Sequence, residues 1–146
     1  MSLEDAFDAY LGNYDNSADM SCFTISNTSG NLQSYYFTPF RTYENIEVGG
    51  VVVSDSIEAR EFVRLADGKV THIAVDSEKK IESFKYVYPD DLGNIEGETL
   101  DIVRKSEVIS FKANDLTANA VDIFVSEKIR GVAARQISIV GSGNIG

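Results

Sequence analysis

The sequence predicts an α/β domain of three layers, with a mainly parallel sheet and an N-terminal antiparallel hairpin. Short apolar runs suited to buried strands alternate with stretches whose apolar residues recur at helical spacing. Short turns rich in glycine, proline and aspartate separate these stretches. The 146 residues are about the length of one domain, and their 43% hydrophobic content is ordinary for a globular protein.

The first predicted elements are a short helix and the hairpin. Apolar residues spaced three and four apart predict a helix over Leu3–Leu11, which Gly12 ends. The β-prone residues 21–26 and 32–38 flank a polar loop that contains glycine, and this pattern predicts two antiparallel strands. Pro39 and the polar residues after it are expected to end the second strand.

A strand–helix–strand unit follows the hairpin. Residues 51–53 are a continuous run of valines, which predicts a buried strand. Ser54, Asp55 or Ser56 can cap the helix that comes next, and a glycine closes its apolar stripe. Residues 70–75 form a second apolar run. Two buried strands joined by a helix with short turns predict parallel strands of one sheet.

The second half of the chain continues the alternation of strands and helices. The predicted elements are a strand at residues 83–88, a short helix at 99–104, a strand at 108–111, a long helix ending at Gly131 and a strand at 137–140. Asn114 or Asp115 can cap the long helix. Four acidic residues without calcium-loop spacing are expected to form a solvated loop: Asp90, Asp91, Glu96 and Glu98.

A glycine motif follows the last predicted strand. Gly141, Gly143 and Gly146 have the spacing G-x-G-x-x-G, with Asn144 and Ile145 between the last two. In a dinucleotide-binding turn the first glycine makes the bend, the second admits the pyrophosphate and the third lets a helix pack. The motif therefore predicts these five residues as cofactor-binding. The rival interpretation is a small non-enzymatic binding or assembly module whose glycine-rich end is only a linker.

The end of the chain resembles the two-domain family that includes shikimate dehydrogenase and methylenetetrahydrofolate dehydrogenase. Residues 109–115, the helix after them and residues 136–146 carry the resemblance. It implies a substrate domain over residues 1–114 and a linking helix and turn over residues 115–135. Residues 136–146 would begin a Rossmann domain that is cut short.

This resemblance implies an oxidoreductase that uses NAD or NADP to transfer hydride to or from a small polar metabolite. Asp115 matches the family's active-site aspartate, whereas residues 51–56 lack the family's catalytic lysine. Ornithine cyclodeaminase relatives also lead a helix into a glycine fingerprint, so the reaction stays open. The 146 residues alone are expected to be inactive, because most of the cofactor pocket would be missing.

Candidate site residues come from the strand ends, because ligands gather at the carboxyl ends of parallel strands. The predicted substrate-binding residues are Ser54, Asp55, Asp76 and Asn114. Lys112 and Asp115 are the predicted catalytic pair, since a lysine beside a carboxylate can move a proton to a substrate oxygen. The competing interpretations are a solvated strand end for Lys112 and a plain helix cap for Asp115.

The amino-acid composition argues against several classes of partner and of reactive site. A net charge of −10 and a pI of about 4.4 argue against nucleic acid and anionic membranes as partners. Cys22 and His72 are the only cysteine and histidine, so no metal site and no Cys–His nucleophile pair is predicted, and both are expected to be structural. The expected partner is a small-molecule substrate in the cytoplasm, and a homo-oligomer stays open.

Overall fold

The computed structural model describes residues 2–14, 18–27, 34–77 and 95–128. In chain order these residues form α1 (Leu3–Leu11), β1 (Met20–Asn27), β2 (Tyr36–Tyr43), β3 (Ile46–Val53), α2 (Ser56–Ala66), β4 (His72–Asp76), α3 (Ile95–Ile102), β5 (Glu107–Phe111) and α4 (Ala113–Lys128). The chain divides into two compact units, one ending at Ser110 and the other beginning at Phe111. None of the helices in the described ranges combines the length and the apolar composition of a membrane-spanning segment.

The five strands form one sheet in the order β2-β3-β1-β4-β5. β1 is parallel to β3 on one side and to β4 on the other, while β2 is antiparallel to β3. The α/β class and the mainly parallel sheet with one antiparallel pair are therefore confirmed. The strand–helix–strand unit is also present, with β3 and β4 in the same direction and β1 between them.

The antiparallel pair joins β2 to β3, so the predicted pairing of residues 21–26 with 32–38 is wrong. The hairpin turn is the dipeptide Glu44-Asn45, in which Glu44 has a φ of 52°. This turn contains no glycine and gave no hairpin signal in the sequence. β2 also runs past Pro39, because the pairing register with β3 shifts between Thr38 and Arg41.

The core lies between one face of the sheet and the helices α1, α2 and α3. Alternate strand residues face these helices, and six of them are fully buried: Phe23, Ile25, Val51, Val53, Ile73 and Val75. Phe7 of α1 packs edge-to-face on Phe23, with ring centroids 5.1 Å apart. Phe62 of α2 lies 6.3 Å from the same ring. This aromatic packing fixes the helices over the central strand.

Tyr10 of α1 bonds to both strands where the pairing register of β2 and β3 shifts. Its hydroxyl accepts a hydrogen bond from the backbone amide of Gly50 at 2.7 Å and donates to the carbonyl of Thr38 at 2.8 Å. The Tyr10 ring stacks on Phe40 with centroids 4.5 Å apart. A side chain at Gly49 would collide with that ring system, so only glycine fits there. Tyr10 thus replaces the ladder hydrogen bonds that the shift removes.

The later elements differ from their predicted limits. α3 begins at Ile95, four residues before the predicted start, and Glu98 is buried within it. α4 begins at Ala113, so Asn114 and Asp115 lie in its first turn and do not cap it. β5 spans the predicted strand at residues 108–111. The strands predicted at residues 83–88 and 137–140 lie outside the described residues.

Candidate functional site

The carboxyl ends of β3, β1 and β4 lie side by side in the sheet, and we call this region the carboxyl edge. It comprises Asn27 at the end of β1, Ser54 and Asp55 after β3, and Asp76 at the end of β4. Three of these four residues were predicted to bind substrate, and the parallel topology brings them to the same edge. This edge is where parallel sheets hold their ligands.

Ser54 and Asp55 are tied to the first turn of α2. The Asp55 carboxylate accepts a hydrogen bond from the amide of Glu58 at 2.8 Å and caps the helix. The Glu58 carboxylate accepts from both the amide and the hydroxyl of Ser54, each at 2.9 Å. Two carboxylates therefore lie at the N-terminus of α2, where the helix dipole stabilises them.

Asn27 is the residue of the carboxyl edge that sequence reasoning missed. Its side chain is only 6% exposed, and its Oδ1 has no hydrogen-bond partner among the described residues. A buried acceptor without a donor costs about 1–3 kcal/mol, so such an atom needs an explanation. The sequence placed Asn27 in the polar loop between residues 21–26 and 32–38, because the segment 27–31 contains a glycine and has the length of a hairpin loop.

Asp76 ends β4 as a deeply buried carboxylate. The residue is 1% exposed, and the sequence predicted that it binds substrate. Burial of a carboxylate is tolerated when it is hydrogen-bonded or paired, and Asp76 has such an interaction. The carboxyl edge therefore has acidic groups on both sides of β1: Asp55 and Glu58 beside β3, and Asp76 at the end of β4.

Glu98 corrects the prediction of a solvated acidic loop. Its side chain is 1% exposed and lies 3.0 Å from the guanidinium of Arg60, which is 22% exposed. The ion pair joins α3 to α2, and the arginine compensates the buried carboxylate. Glu96 lies in the first turn of the same helix, where a negative charge is favourable. Asp90 and Asp91 lie outside the described residues.

The predicted catalytic residues belong to the second unit. Lys112 is exposed and precedes α4, and its carbonyl accepts from the amide of Leu116 at 3.1 Å. Asn114 and Asp115 lie in the first turn of α4, where Asp115 is exposed. Within the described residues no ion pair joins Lys112 to Asp115. Their catalytic roles stay predictions.

Gly141, Gly143, Asn144, Ile145 and Gly146 lie outside the described residues. The part of the chain that the structure describes contains no group of three or more histidine, cysteine, aspartate or glutamate side chains able to hold a metal ion. The candidate site is therefore built from the carboxyl edge alone.

His72 makes structural contacts, as the sequence predicted. Thr71 Oγ1 donates its hydrogen to the carbonyl of Ser21 at 2.7 Å, so it must accept from His72 Nδ1, 2.9 Å away. The other ring nitrogen lies 3.2 Å from the carboxylate of Glu107. The ring thus links β4 to β5. Cys22, paired with His72 across β1 and β4, is buried, and burial raises the pKa of its thiol despite a hydrogen bond with the Ala74 backbone.

An open groove of about 400 Å³ lies at the opposite, amino-terminal end of the sheet. Asp8 and Lys69 lie on its wall and form an ion pair with a separation of 2.6 Å. The Tyr14 hydroxyl, on the same wall, donates to the carbonyl of Cys22. The charged and polar groups of this groove thus already have partners, which makes it a weaker candidate than the carboxyl edge.

Comparisons with protein-family models, with curated proteins and with solved structures found no match for this chain. The functional interpretation therefore depends on the glycine motif in the sequence and on the geometry of the carboxyl edge. Neither depends on similarity to a single known protein.

Proposed function

We propose that this chain is the substrate-binding front part of an NAD(P)-dependent oxidoreductase that acts on a small polar metabolite. The observation that carries the proposal is the G-x-G-x-x-G motif of Gly141, Gly143 and Gly146, directly after the β-prone residues 136–140. The sheet supports it, since its carboxyl edge offers polar groups to a ligand. A cytoplasmic location and a small-molecule partner belong to the same proposal.

One set of residues would bind the substrate, and another would transfer a proton to it. Ser54, Asp55, Asp76 and Asn114 would bind the substrate. Lys112 would donate a proton to the carbonyl oxygen as hydride reaches the carbonyl carbon, so that an alcohol forms and no charge is left on oxygen. Asp115 would orient the ammonium group of Lys112 when the substrate is bound.

The cofactor would be held by the glycine motif. Gly141, Gly143 and Gly146 would present backbone amides without side chains, which is the donor set that a pyrophosphate needs. Asn144 and Ile145 lie between the second and third glycines and would contribute two further amides. The nicotinamide, when bound, supplies the hydride.

Dinucleotide binding tests the proposal most directly. The protein encoded by the complete reading frame is titrated with NADH and with NADPH by calorimetry. Gly143→Val should weaken binding by about 100-fold or more, because a branched side chain blocks the pyrophosphate from the backbone. Gly12→Ala is the matched control, since an added Cβ there makes only ordinary contacts at 3.5 Å.

Two results would overturn the proposal: no binding of either dinucleotide by the unmodified protein, or unchanged binding by the Gly143→Val variant. Either would favour the rival function, a non-enzymatic binding or assembly module. One observation on α4 supports that rival. Leu116, Ile123 and Phe124 share one side of the helix and are 55–60% exposed, as an assembly surface would be.

A further inference from the structure

We propose that the carboxyl edge binds its ligand through a hydrogen-bond donor that carries no negative charge, a hydroxyl or an ammonium group, with Asn27 Oδ1 as the acceptor. This inference deepens the proposed function, because it names the chemistry of the substrate end that enters the edge. It depends on the described residues of β1, β3, α2 and β4, and on none of the glycines at the end of the chain.

Asn27 lies on the side of the sheet that the helices cover. It pairs with Val53 in the parallel register, and Val53 is fully buried in the core beneath α2. Residues two apart in a strand share a face, so Asn27 continues the line of Ile25 toward the carboxyl edge. Its carboxamide therefore lies at the end of the core, close to where α2 begins after Asp55.

The unpaired Oδ1 atom of Asn27 points to a ligand independently of the N-terminus of α2. Asn27 is 6% exposed and its Oδ1 has no donor within the described part of the chain. Apart from this atom, the described residues contain no buried side-chain nitrogen or oxygen without a partner. A ligand that donates a hydrogen bond would remove the cost of this unpaired atom, which an acceptor-only ligand cannot do.

Two backbone amides at the start of α2 are occupied by carboxylates, which disfavours an anion there. Anion sites at helix ends need free backbone amides. Here the amide of Glu58 is taken by the Asp55 carboxylate, and the amide of Ser54 is taken by the Glu58 carboxylate. A phosphate or carboxylate arriving at this end would meet two negative charges and no free donor from these residues.

The charged side chains described near Asn27 also favour a ligand group without negative charge. Asp55 and Glu58 place two carboxylates at the start of α2, whereas Asp76 directly follows Val75 and so faces the side of the sheet opposite Asn27. The nearest cation along α2, Arg60, is held 3.0 Å from the carboxylate of Glu98. Among the described residues beside Asn27, the carboxylates at the start of α2 favour a ligand group that is neutral or positive and donates hydrogen bonds.

Replacing Asn27 by leucine separates a binding role from a structural one. Asn27→Leu removes the unpaired acceptor and keeps a branched side chain of similar size. We expect its melting temperature to rise by about 2–6 °C, since a buried polar group without a partner destabilises the fold. Asn45→Leu is the matched control: the Asn45 amide donates to Asp19 at 2.8 Å, so that variant should melt at a lower temperature. A lower melting temperature for Asn27→Leu would overturn the proposal.

Ligand chemistry is tested on the same chain by nuclear magnetic resonance. The side-chain amide signal of Asn27 is followed while methylammonium chloride, glycerol, sodium acetate or sodium phosphate is added at matched ionic strength. The signal should move with methylammonium or with glycerol, and which of the two acts tells an ammonium site from a hydroxyl site. The Asn45 amide signal should not move.

A response to acetate or phosphate, or no response to either donor probe, overturns the proposal. Its failure is distinguishable from failure of the proposed oxidoreductase function. That function is tested by NADH and NADPH binding and by Gly143, whereas the present proposal is tested by Asn27 and by probes without a nucleotide.

Discussion

Asp67, directly after α2, shows how a single side chain can hold a loop. Its carboxylate accepts hydrogen bonds from three consecutive backbone amides, those of Arg104 at 3.0 Å, Lys105 at 2.8 Å and Ser106 at 2.9 Å. Burial alone would raise the pKa of Asp67. The three amide donors, together with the charge of Lys105, outweigh burial and hold the pKa below its usual value.

The lowered pKa of Asp67 predicts a pH-dependent contribution to stability. Because the carboxyl binds its proton less tightly in the folded state, the contribution is complete above the pKa of the unfolded chain, about 3.9. It is lost as the pH falls through the folded-state value. Asp67→Asn should lower the free energy of unfolding at neutral pH by about 2 kcal/mol, with a much smaller difference in strong acid.

Urea unfolding at neutral and at acidic pH measures this effect. Asp101→Asn is the control, since the Asp101 side chain is exposed on α3 and makes no hydrogen bond with the described residues. Equal losses of stability for Asp67→Asn at both pH values would contradict the pH argument, although the hydrogen bonds themselves would still stand.

At the scale of elements, the β2–β3 pair depends on a helix residue. The Tyr10 hydroxyl is inserted where the register shifts, and it bonds to Gly50 on one strand and Thr38 on the other. Burial raises the pKa of Tyr10, although both hydrogen bonds oppose the change, so the hydroxyl stays protonated and able to donate at neutral pH.

Tyr10→Phe should therefore destabilise the protein by about 1–3 kcal/mol, because the buried amide of Gly50 and the carbonyl of Thr38 lose their partner while the ring packing is kept. Thermal unfolding followed by circular dichroism measures the change. Tyr43→Phe is the control, since that side chain is 73% exposed. If both variants have the melting temperature of the unmodified protein, water has replaced the hydroxyl, and the proposed role of Tyr10 in joining β2 to β3 is wrong.

The same strands show what the sequence could and could not predict. The valine run of β3 and the apolar run of β4 identified two buried parallel strands, because strands covered on both faces are continuously apolar. The partner of β2 could not be read from local pattern, since the true turn at Glu44-Asn45 carries no glycine. Asn27 was assigned to a loop because the central position of β1 depends on residues far along the chain.

At the scale of the whole molecule, the predicted catalytic pair lies after the first compact unit ends. In the protein from the complete reading frame, Lys112→Ala and Asp115→Ala should each lower turnover by about 100-fold if the pair does acid–base work. The fold should be kept. Asp115 lies in the first turn of α4 and does not cap it, so its loss removes only a favourable interaction with the helix dipole, about 0.3–1 kcal/mol.

Steady-state kinetics on the true substrate, with circular dichroism as a check of folding, tests this pair. Asp122→Ala is a fair control because Asp122 is exposed further along the same helix. Wild-type turnover in both Lys112→Ala and Asp115→Ala would remove them from the mechanism. The glycine motif would not be affected by that result, since it involves different residues.

The central position of β1 has a consequence for synthesis on the ribosome. Ser21 in β1 bonds to Thr71, 50 residues later, and β4 follows directly after it. Until that stretch has left the exit tunnel, a growing chain carries β1 with one backbone edge uncovered, and before β3 emerges both edges are uncovered. Exposed strand edges invite pairing with other chains. A chaperone that shields the nascent chain should therefore reduce aggregation more for this protein than for one whose first strand lies at the border of its sheet. Slow translation before β4 should increase aggregation, because it prolongs the exposure of β1.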